Sequence, residues 1–185
     1  MLVKTEKHQA KEWHKELREW VVSLGIAVVV AMLFQTYVYA QSEVRNVSMQ
    51  NTLVAGQRLI EDKWSYHFHE PRHGDIVIIN GPESDLRLIK RVVGLPGDVV
   101  DIHNGEVYLN GEKIDEQYVK GQTFAGSVDI PFTVEEGQLF VMGDNREHSM
   151  DSREIGPIAR SSIEGKAVLR IWPLPKFGTL NEEQE

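Results

Sequence analysis

Two residues of this sequence have the types that nucleophilic catalysis needs, Ser48 and Lys90. A serine hydroxyl attacks a carbonyl when a nearby base removes its proton, and a neutral lysine amine is one such base. If Leu86–Val93 is a regular strand, Lys90 lies on an otherwise apolar face, where loss of hydration lowers the pKa of its amine. The same pattern also fits an edge-strand lysine that discourages aggregation. The residues alone leave both interpretations open.

A third polar segment, residues 143–153, combines turn-forming residues with charge. It begins with Gly-Asp-Asn-Arg, a composition typical of turns. Further along, Asp151 and Arg153 are placed to form a partly buried ion pair that fixes the loop. This composition favours a structural turn and a functional loop about equally.

The histidines allow two other kinds of site. His148 lies inside the polar segment and would suit a Ser-His-Asp hydrolase, but no nucleophile elbow accompanies it. Four more residues are close enough in sequence to suggest a metal site: His67, His69, Glu70 and His73. Their spacing matches neither His-Glu-x-x-His nor another named motif, so we expect a solvated loop with no metal and no cofactor. The chain contains no cysteine, which excludes cysteine-ligated zinc.

The elements that must position these residues are short β-strands. Apolar runs rich in β-branched residues alternate with turn residues, at 75–79, 86–93, 99–102, 107–109, 138–142 and 167–172. Between the third and fourth runs, Asn104-Gly105 has the residues that a type I′ hairpin turn favours. The sequence therefore predicts a mainly β fold, an antiparallel β-sheet domain rather than an α/β one.

Ahead of this domain, residues 20–40 form a run of 21 residues without a charge. At about 1.5 Å per helical residue, the run is as long as the hydrocarbon core of a bilayer is thick, so we predict one N-terminal transmembrane helix. A buried soluble helix is one alternative. A cleavable signal peptide ending at Val38-Tyr39-Ala40 is another, but the run exceeds the usual length of a signal-peptide core.

The charges on either side of this run predict its orientation. The twenty residues after it contain only two basic side chains, whereas five precede it: Lys4, Lys7, Lys11, Lys15 and Arg18. Basic residues concentrate on the cytosolic side of a membrane span. We therefore predict a cytosolic N-terminal segment, residues 1–19, and a single-pass type II protein of the cell membrane whose β domain is extracytoplasmic.

The β domain is acidic. The chain has a net charge of −8, and residues 41–185 contain 15 basic and 24 acidic side chains. Phosphate backbones are bound by clustered Lys and Arg, so this balance argues against a nucleic-acid partner. Within the domain we predict a β core from residues 41–97 and 141–185, with a smaller β lobe, residues 98–140, inserted between them.

Three segments, in order and after an anchor, resemble the sequence boxes of bacterial type I signal peptidases, in the form of the compact Gram-positive members. Residues 48–53 match Ser-Met-x-Pro-Thr-Leu at all but one position, and residues 90–98 match Lys-Arg-Val-x-Gly-x-Pro-Gly-Asp. Residues 143–153 match Gly-Asp-Asn-Arg-x-x-Ser-x-Asp-Ser-Arg in full. With weaker similarity between the boxes, the resemblance extends over roughly residues 15–175.

The resemblance implies a membrane-bound endopeptidase that removes signal peptides from secreted preproteins at the lipid bilayer. The family's nucleophile corresponds to Ser48 and its base to Lys90, acting through an acyl-enzyme intermediate. Ser149 corresponds to the residue that orients the lysine, and Asp151 and Arg153 to residues that stabilise the site. The pocket for small substrate residues at −1 and −3 would, by position, involve four apolar residues: Val44, Met49, Leu53 and Ile89.

Two residues depart from the family pattern. Asn51 replaces the proline of the serine box, so a rigid turn element is missing, although asparagine also tolerates turns. Asn46 stands where family members often have a hydroxyl. If Val44–Ser48 is extended, the side chains of Asn46 and Ser48 project to one face, and the Asn46 amide would join the Ser48 N–H in stabilising an oxyanion. A local turn cap is the alternative role for Asn46.

A non-enzymatic protein of the same architecture is the remaining alternative. It would be a membrane-anchored β domain that binds exported chains without cleaving them, and Asn51 is the one sequence feature that suggests it. The presence together of Ser48, Lys90, Ser149 and Asp151 favours the enzyme.

Overall fold

The computed structural model describes residues 3–81 and 87–180, with side chains described from Trp13 onward except at positions 14 and 34–37. The chain divides into two compact units, residues 1–38 and residues 39–185. Predicted segments that include residues 1–2, 82–86 or 181–185 lie in part outside the described residues.

Helix α1, Val3–Tyr37, carries most of the apolar run predicted to span a membrane. It is continuous over 35 residues, so the basic segment and the apolar run belong to one helix. The large apolar side chains from Trp20 to Leu33 are 46–76% exposed. Among the described residues, no helix has both the length and the hydropathy of a membrane span. The predicted limit at Ala40 was too late, because Tyr39 and Ala40 already belong to a strand that pairs with its neighbour.

The second unit contains two antiparallel sheets. In chain order, its described strands are β1 (Tyr39–Glu43), β2 (Arg58–Asp62), β3 (Ile76–Asn80), β4 (Arg87–Gly94), β5 (Val99–His103), β6 (Glu106–Leu109), β7 (Glu112–Lys113), β8 (Phe132–Thr133), β9 (Gln138–Met142), β10 (Ile158–Ala159), β11 (Ile163–Trp172) and β12 (Gly178–Thr179). Eight strands form one sheet in the order β1-β2-β11-β3-β4-β9-β10, with β12 paired to β11. The other four form a smaller sheet in the order β7-β6-β5-β8. The prediction of a mainly β, antiparallel domain is confirmed.

Asparagine-glycine turns shape the smaller sheet as predicted. Asn104 and Gly105 have φ angles of 55° and 81°, the positive values that a type I′ turn requires, and they join β5 to β6. Asn110 and Gly111, with φ angles of 55° and 85°, join β6 to β7 in the same way. These turns set a register in which Ile102 is opposite Val107.

Side chains of β3 and β4 alternate between the two faces of the larger sheet, and both faces are buried. Lys90 lies on the face that carries Leu88 and Val92, and its cross-strand neighbour on β3 is Val77. The predicted apolar face around the lysine is therefore confirmed within the described residues. Leu86, which was predicted to belong to this strand, lies outside them.

A further core cluster packs the two sheets against each other. Val93, Phe140 and Met142 of the larger sheet contact residues of the smaller sheet such as Val100 and Val107. All four strands of the smaller sheet fall within residues 98–140. The division of the domain into a core and an inserted lobe stays a prediction, since residues 39–185 form one compact unit.

Strands β1 and β2 were not predicted. Their sequences, Tyr-Ala-Gln-Ser-Glu and Arg-Leu-Ile-Glu-Asp, lack a β-branched apolar run. They are strands because β2 pairs along β11 and β1 pairs along β2. Hydrogen bonding to the neighbouring strand stabilises the extended conformation even though the local β propensity is weak. For the same reason β11 begins at Ile163, earlier than the predicted residue 167.

Candidate active site

The structure brings Ser48 and Lys90 together although 42 positions separate them in sequence. Ser48 begins the turn that follows the irregular segment after β1, and Lys90 lies in β4. The Nζ of Lys90 donates a hydrogen bond to the Oγ of Ser48 at 2.9 Å. Lys90 is 2% exposed and Ser48 is 9% exposed. Among the described side chains, the hydrogen-bond partner of the Ser48 hydroxyl is therefore a lysine.

Burial lowers the pKa of Lys90 from 10.5 to about 8. The carboxylates of Asp151 and Asp144 oppose this shift and the guanidinium of Arg153 adds to it, but burial on the apolar face dominates. The predicted direction of the pKa shift is confirmed. Near neutral pH a useful fraction of the amine is uncharged, so it can accept a proton from the hydroxyl that it contacts.

Asp151 and Arg153 form the predicted ion pair, which is buried. The guanidinium donates from Nε to Oδ1 and from Nη2 to Oδ2, both at 2.9 Å. Asp151 also caps the short helix α2, Ser152–Ile155, and accepts a hydrogen bond from the N–H of Gly143 at 2.9 Å. Burial raises the pKa of Asp151, but the hydrogen bonds and charge of Arg153 more than offset it, so this pKa lies below its ordinary value.

Ser149 packs against Gly143 beside Ser48. A Cβ at Gly143 would overlap Ser149 Oγ and the carbonyl oxygen of Ser48, so only glycine allows this close approach. The Ser149 hydroxyl is buried and has no hydrogen bond of standard geometry within the described residues, although it helps to lower the pKa of Asp151. The role of orienting Lys90, which the resemblance implies for Ser149, stays a prediction.

Four residues for which the sequence predicts no role hold the loop that carries Ser48. Arg91 donates to Asp144 from Nε at 2.9 Å and from Nη2 at 2.8 Å, and the Thr52 hydroxyl donates to the same carboxylate. Asn145 donates from its backbone N–H to the Ser48 carbonyl at 2.9 Å and from its amide to the preceding carbonyl at 3.1 Å. All of these residues lie inside the three boxes, but their pairing depends on tertiary contacts.

Two cavities meet at Ser48. The larger, about 650 Å³, has an apolar part formed by Val44, Met49, Ile78 and Ile89. The smaller, about 330 Å³, extends from Ser48 past Lys90 to His148 and Met150.

Three of the four residues predicted to form the substrate pocket, Val44, Met49 and Ile89, line the larger cavity. The prediction for Leu53 is not supported, because its side chain is fully buried in the core with Leu59 and lines neither cavity.

Asn46 is exposed and lines both cavities next to Ser48. Residues 44–48 do not form a regular strand, since β1 ends at Glu43 and a turn begins at Ser48. Strand alternation therefore does not determine where the Asn46 side chain lies, and its contribution to an oxyanion site stays a prediction.

Asn51 lies in the turn after Ser48, at the position where the serine box described above has proline. The turn forms without it, and the N–H of Leu53 closes it by donating to the Met49 carbonyl at 2.7 Å. A backbone hydrogen bond thus closes the turn in the absence of the proline.

The residues considered for a metal site have separate partners. His73 contacts Asp98 at 2.7 Å, and Glu70 pairs with Arg160 at 2.7 Å. His67 stacks on the ring of a neighbouring tryptophan. Within residues 3–81 and 87–180, no group of three or more potential ligands is arranged to hold a metal ion.

The sequence matches a known peptidase family over most of its length. The family model described as "Signal peptidase, peptidase S26" matches residues 17–172. The chain is 37% identical to a signal peptidase I of Leptolyngbya laminosa, with 89% of this chain and 84% of the relative covered. The identity is 39% with a signal peptidase I of Bacillus licheniformis, covering 85% and 89%, and 34% with signal peptidase I S of Bacillus subtilis strain 168, covering 90% and 95%.

These matches show that the protein is a serine peptidase. The chain belongs to the signal peptidase family, peptidase S26. The predicted family and the predicted enzyme class are confirmed.

Proposed function

We propose that this protein removes N-terminal signal peptides from secreted preproteins, with Ser48 as nucleophile and Lys90 as its base. The observation that carries the proposal is the 2.9 Å contact between Lys90 Nζ and Ser48 Oγ, at a buried position where the lysine pKa is about 8. The neutral amine takes the hydroxyl proton while the oxygen attacks the carbonyl carbon at the cleavage site.

The remaining steps use the same two groups. The Lys90 ammonium returns its proton to the leaving amine of the mature protein, and the signal peptide stays bound to Ser48 as an ester. The lysine, neutral again, then takes a proton from the water that hydrolyses this ester. Ser149 orients the amine in this scheme, and the Asp151–Arg153 ion pair holds the loop on which Ser149 lies.

The edge of β4 supports an extended peptide as substrate. Among the described strands, β9 pairs with β4 only from Arg91 onward, whereas Arg87–Lys90 pair with β3 alone. One edge of this segment therefore offers backbone N–H and C=O groups beside the larger cavity. A peptide in β conformation would pair with such an edge, while alternate side chains enter the pocket.

The larger cavity is expected to select small residues at −1 and −3. For matched preprotein peptides with Ala or Leu at −1, we expect kcat/KM to favour Ala by about 10- to 100-fold, since overfilling an apolar pocket costs roughly 1–3 kcal/mol. Mass spectrometry of the products verifies the position of the cut. Ile89→Ala should enlarge the pocket and reduce this preference, whereas Leu109→Ala in the smaller sheet should not.

Equal turnover of the Ala and Leu peptides by the unmodified protein would show that the larger cavity does not select the residue at −1. Failure to cleave either peptide, or an intact preprotein, would refute the proposed function itself.

Asn46 is proposed to donate a second hydrogen bond to the oxyanion, alongside the backbone N–H of Ser48. Its place at the junction of the two cavities supports this role. We expect Asn46→Ala to lower kcat by about 10²- to 10³-fold with little change in KM, and Asn46→Ser to recover part of the loss. An unchanged kcat, measured on folded Asn46→Ala protein, would mean that backbone N–H groups alone stabilise the oxyanion.

A single-pass anchor is proposed to hold the catalytic domain at the outer face of the cell membrane. Support comes from the 21-residue charge-free run, the exposure of its apolar side chains and the basic residues before it. Protease added to intact spheroplasts should digest the β domain. Protection until the cells are lysed would show the opposite orientation.

A further inference from the structure

The smaller cavity beside Ser48 differs in charge from the domain that contains it. Among the described residues that line it, the ionisable ones are Arg45, Lys90 and His148, and none is a carboxylate. The larger cavity shares Arg45 and also includes Glu43, Arg58 and Arg87, and the guanidinium of Arg87 is paired with Glu61 and Glu164. Residues 41–185 as a whole contain 24 acidic and 15 basic side chains, so the basic described lining of this cavity is opposite in sign to the net charge of the domain. Such a reversal attracts and retains negatively charged groups.

Two of these basic side chains are available to a ligand. Lys90 is committed to the Ser48 hydroxyl. The side chains of Arg45 and His148 are exposed, and within the described part of the chain neither forms an ion pair or a side-chain hydrogen bond. The backbone of His148 is nevertheless fixed, because its N–H donates to the Asn145 carbonyl at 3.1 Å. The imidazole is thus presented by the same loop that holds the nucleophile.

The position of the cavity indicates which part of a substrate enters it. Ser48 lines both cavities, and the apolar residues suited to −1 and −3 belong to the larger one. An extended peptide advances about 3.3 Å per residue, so a chain that crosses Ser48 reaches the smaller cavity within one or two residues of the cut bond.

We propose that the smaller cavity binds the first residues of the mature protein and favours an acidic side chain at +1 or +2. This inference rests on the proposed function and adds a substrate preference to it. The Arg45 guanidinium forms charge-assisted hydrogen bonds with a carboxylate. The His148 imidazole has an N–H donor in either charge state and adds a second contact.

Peptide pairs that differ by one isosteric substitution test this preference. Peptides share an Ala-x-Ala cleavage site and carry Asp or Asn at +1, at +2 or at −4, and kcat/KM is measured for each. We expect the Asp peptide to be favoured roughly three- to tenfold at +1 or +2, as for two partly exposed charge pairs, and not at −4. High salt should reduce the preference.

Variants of the lining residues test whether the preference for Asp over Asn arises in the smaller cavity. Arg45→Gln and His148→Gln should each lower the Asp-over-Asn ratio, and the double variant should bring it close to one. Lys176→Gln removes the same charge from a residue that lines neither cavity and should leave the ratio unchanged.

Equal turnover of the Asp and Asn peptides at both positions by the unmodified protein would overturn the inference, as would a preference that survives in the double variant. In either case cleavage of the Asn peptides would leave the proposed function standing. Cleavage of none of the peptides would count against the proposed function instead.

Discussion

Ser48→Ala and Lys90→Ala should each lower the rate of preprotein cleavage by at least about 10⁴-fold while the domain stays folded. In the proposed mechanism the serine supplies the attacking oxygen and the lysine removes its proton, so neither group is effective without the other. For the same reason, the double variant should be no slower than the slower single variant. Cleavage is followed by gel shift of a preprotein, and folding by circular dichroism and thermal unfolding.

Matched controls separate loss of chemistry from loss of structure. Ser161→Ala and Lys176→Ala remove exposed side chains of the same types and should keep full activity. Chelators should have no effect on the unmodified protein. The dyad would be wrong if Lys90→Ala retained more than a few per cent of the activity, or if EDTA stopped cleavage and added metal restored it.

The low pKa of Lys90 predicts how the rate depends on pH. Only the neutral amine accepts the proton of Ser48, and the pKa of this lysine is about 8. Below that pH the rate should therefore rise about tenfold per pH unit, and above it the rate should level off. A rate that is independent of pH between 6 and 8 would contradict the assignment of Lys90 as the base.

The same pKa predicts a gain of stability when the amine is removed. The pKa of Lys90 is about 8 in the folded protein and 10.5 when exposed, so between these values the unfolded chain binds more protons and stability rises with pH. Below pH 8 the burial of the charged amine carries its full cost, about 3 kcal/mol. Lys90→Met should remove this cost, and its free energy of unfolding should exceed that of the unmodified protein by up to about 3 kcal/mol at pH 7.

Urea unfolding at several pH values measures this difference. It should be largest at pH 7, shrink through pH 9 and disappear above pH 10.5, the exposed pKa. Lys176→Met, an exposed position, is the control and should show little difference at any pH. Destabilisation of Lys90→Met by an amount that does not vary with pH would mean that the amine is not buried in its charged form.

Local patterns determined the strands that have strong signals of their own. The β-branched runs at β3, β4, β5 and β9 and the turn at Asn104-Gly105 were predicted because alternation and positive φ angles are properties of neighbouring residues. The same alternation predicted that Lys90 would share an apolar face, and hence the direction of its pKa shift.

Strands β1 and β2 show where local patterns fail. Their polar residues become strands because β11 offers a backbone edge to pair with, and that edge exists only after distant parts of the chain have come together. Leu53 illustrates the same limit, since its place in a sequence motif suggested the pocket, whereas packing against Leu59 places it in the core.

The sequence by itself therefore determined the family, the β class of the domain and the apolar run ahead of it, because motif order, periodicity and composition are properties of the linear sequence. Only the tertiary structure decided that Lys90 meets Ser48 at 2.9 Å and that Asn145 and Asp144 hold the nucleophile's loop. It also decided that Ser48 lines two cavities, a larger one with an apolar part and a smaller one that includes Lys90 and His148. Each of these features is a contact between residues far apart in sequence, and such contacts are fixed by the packing of sheets and not by local conformational preference.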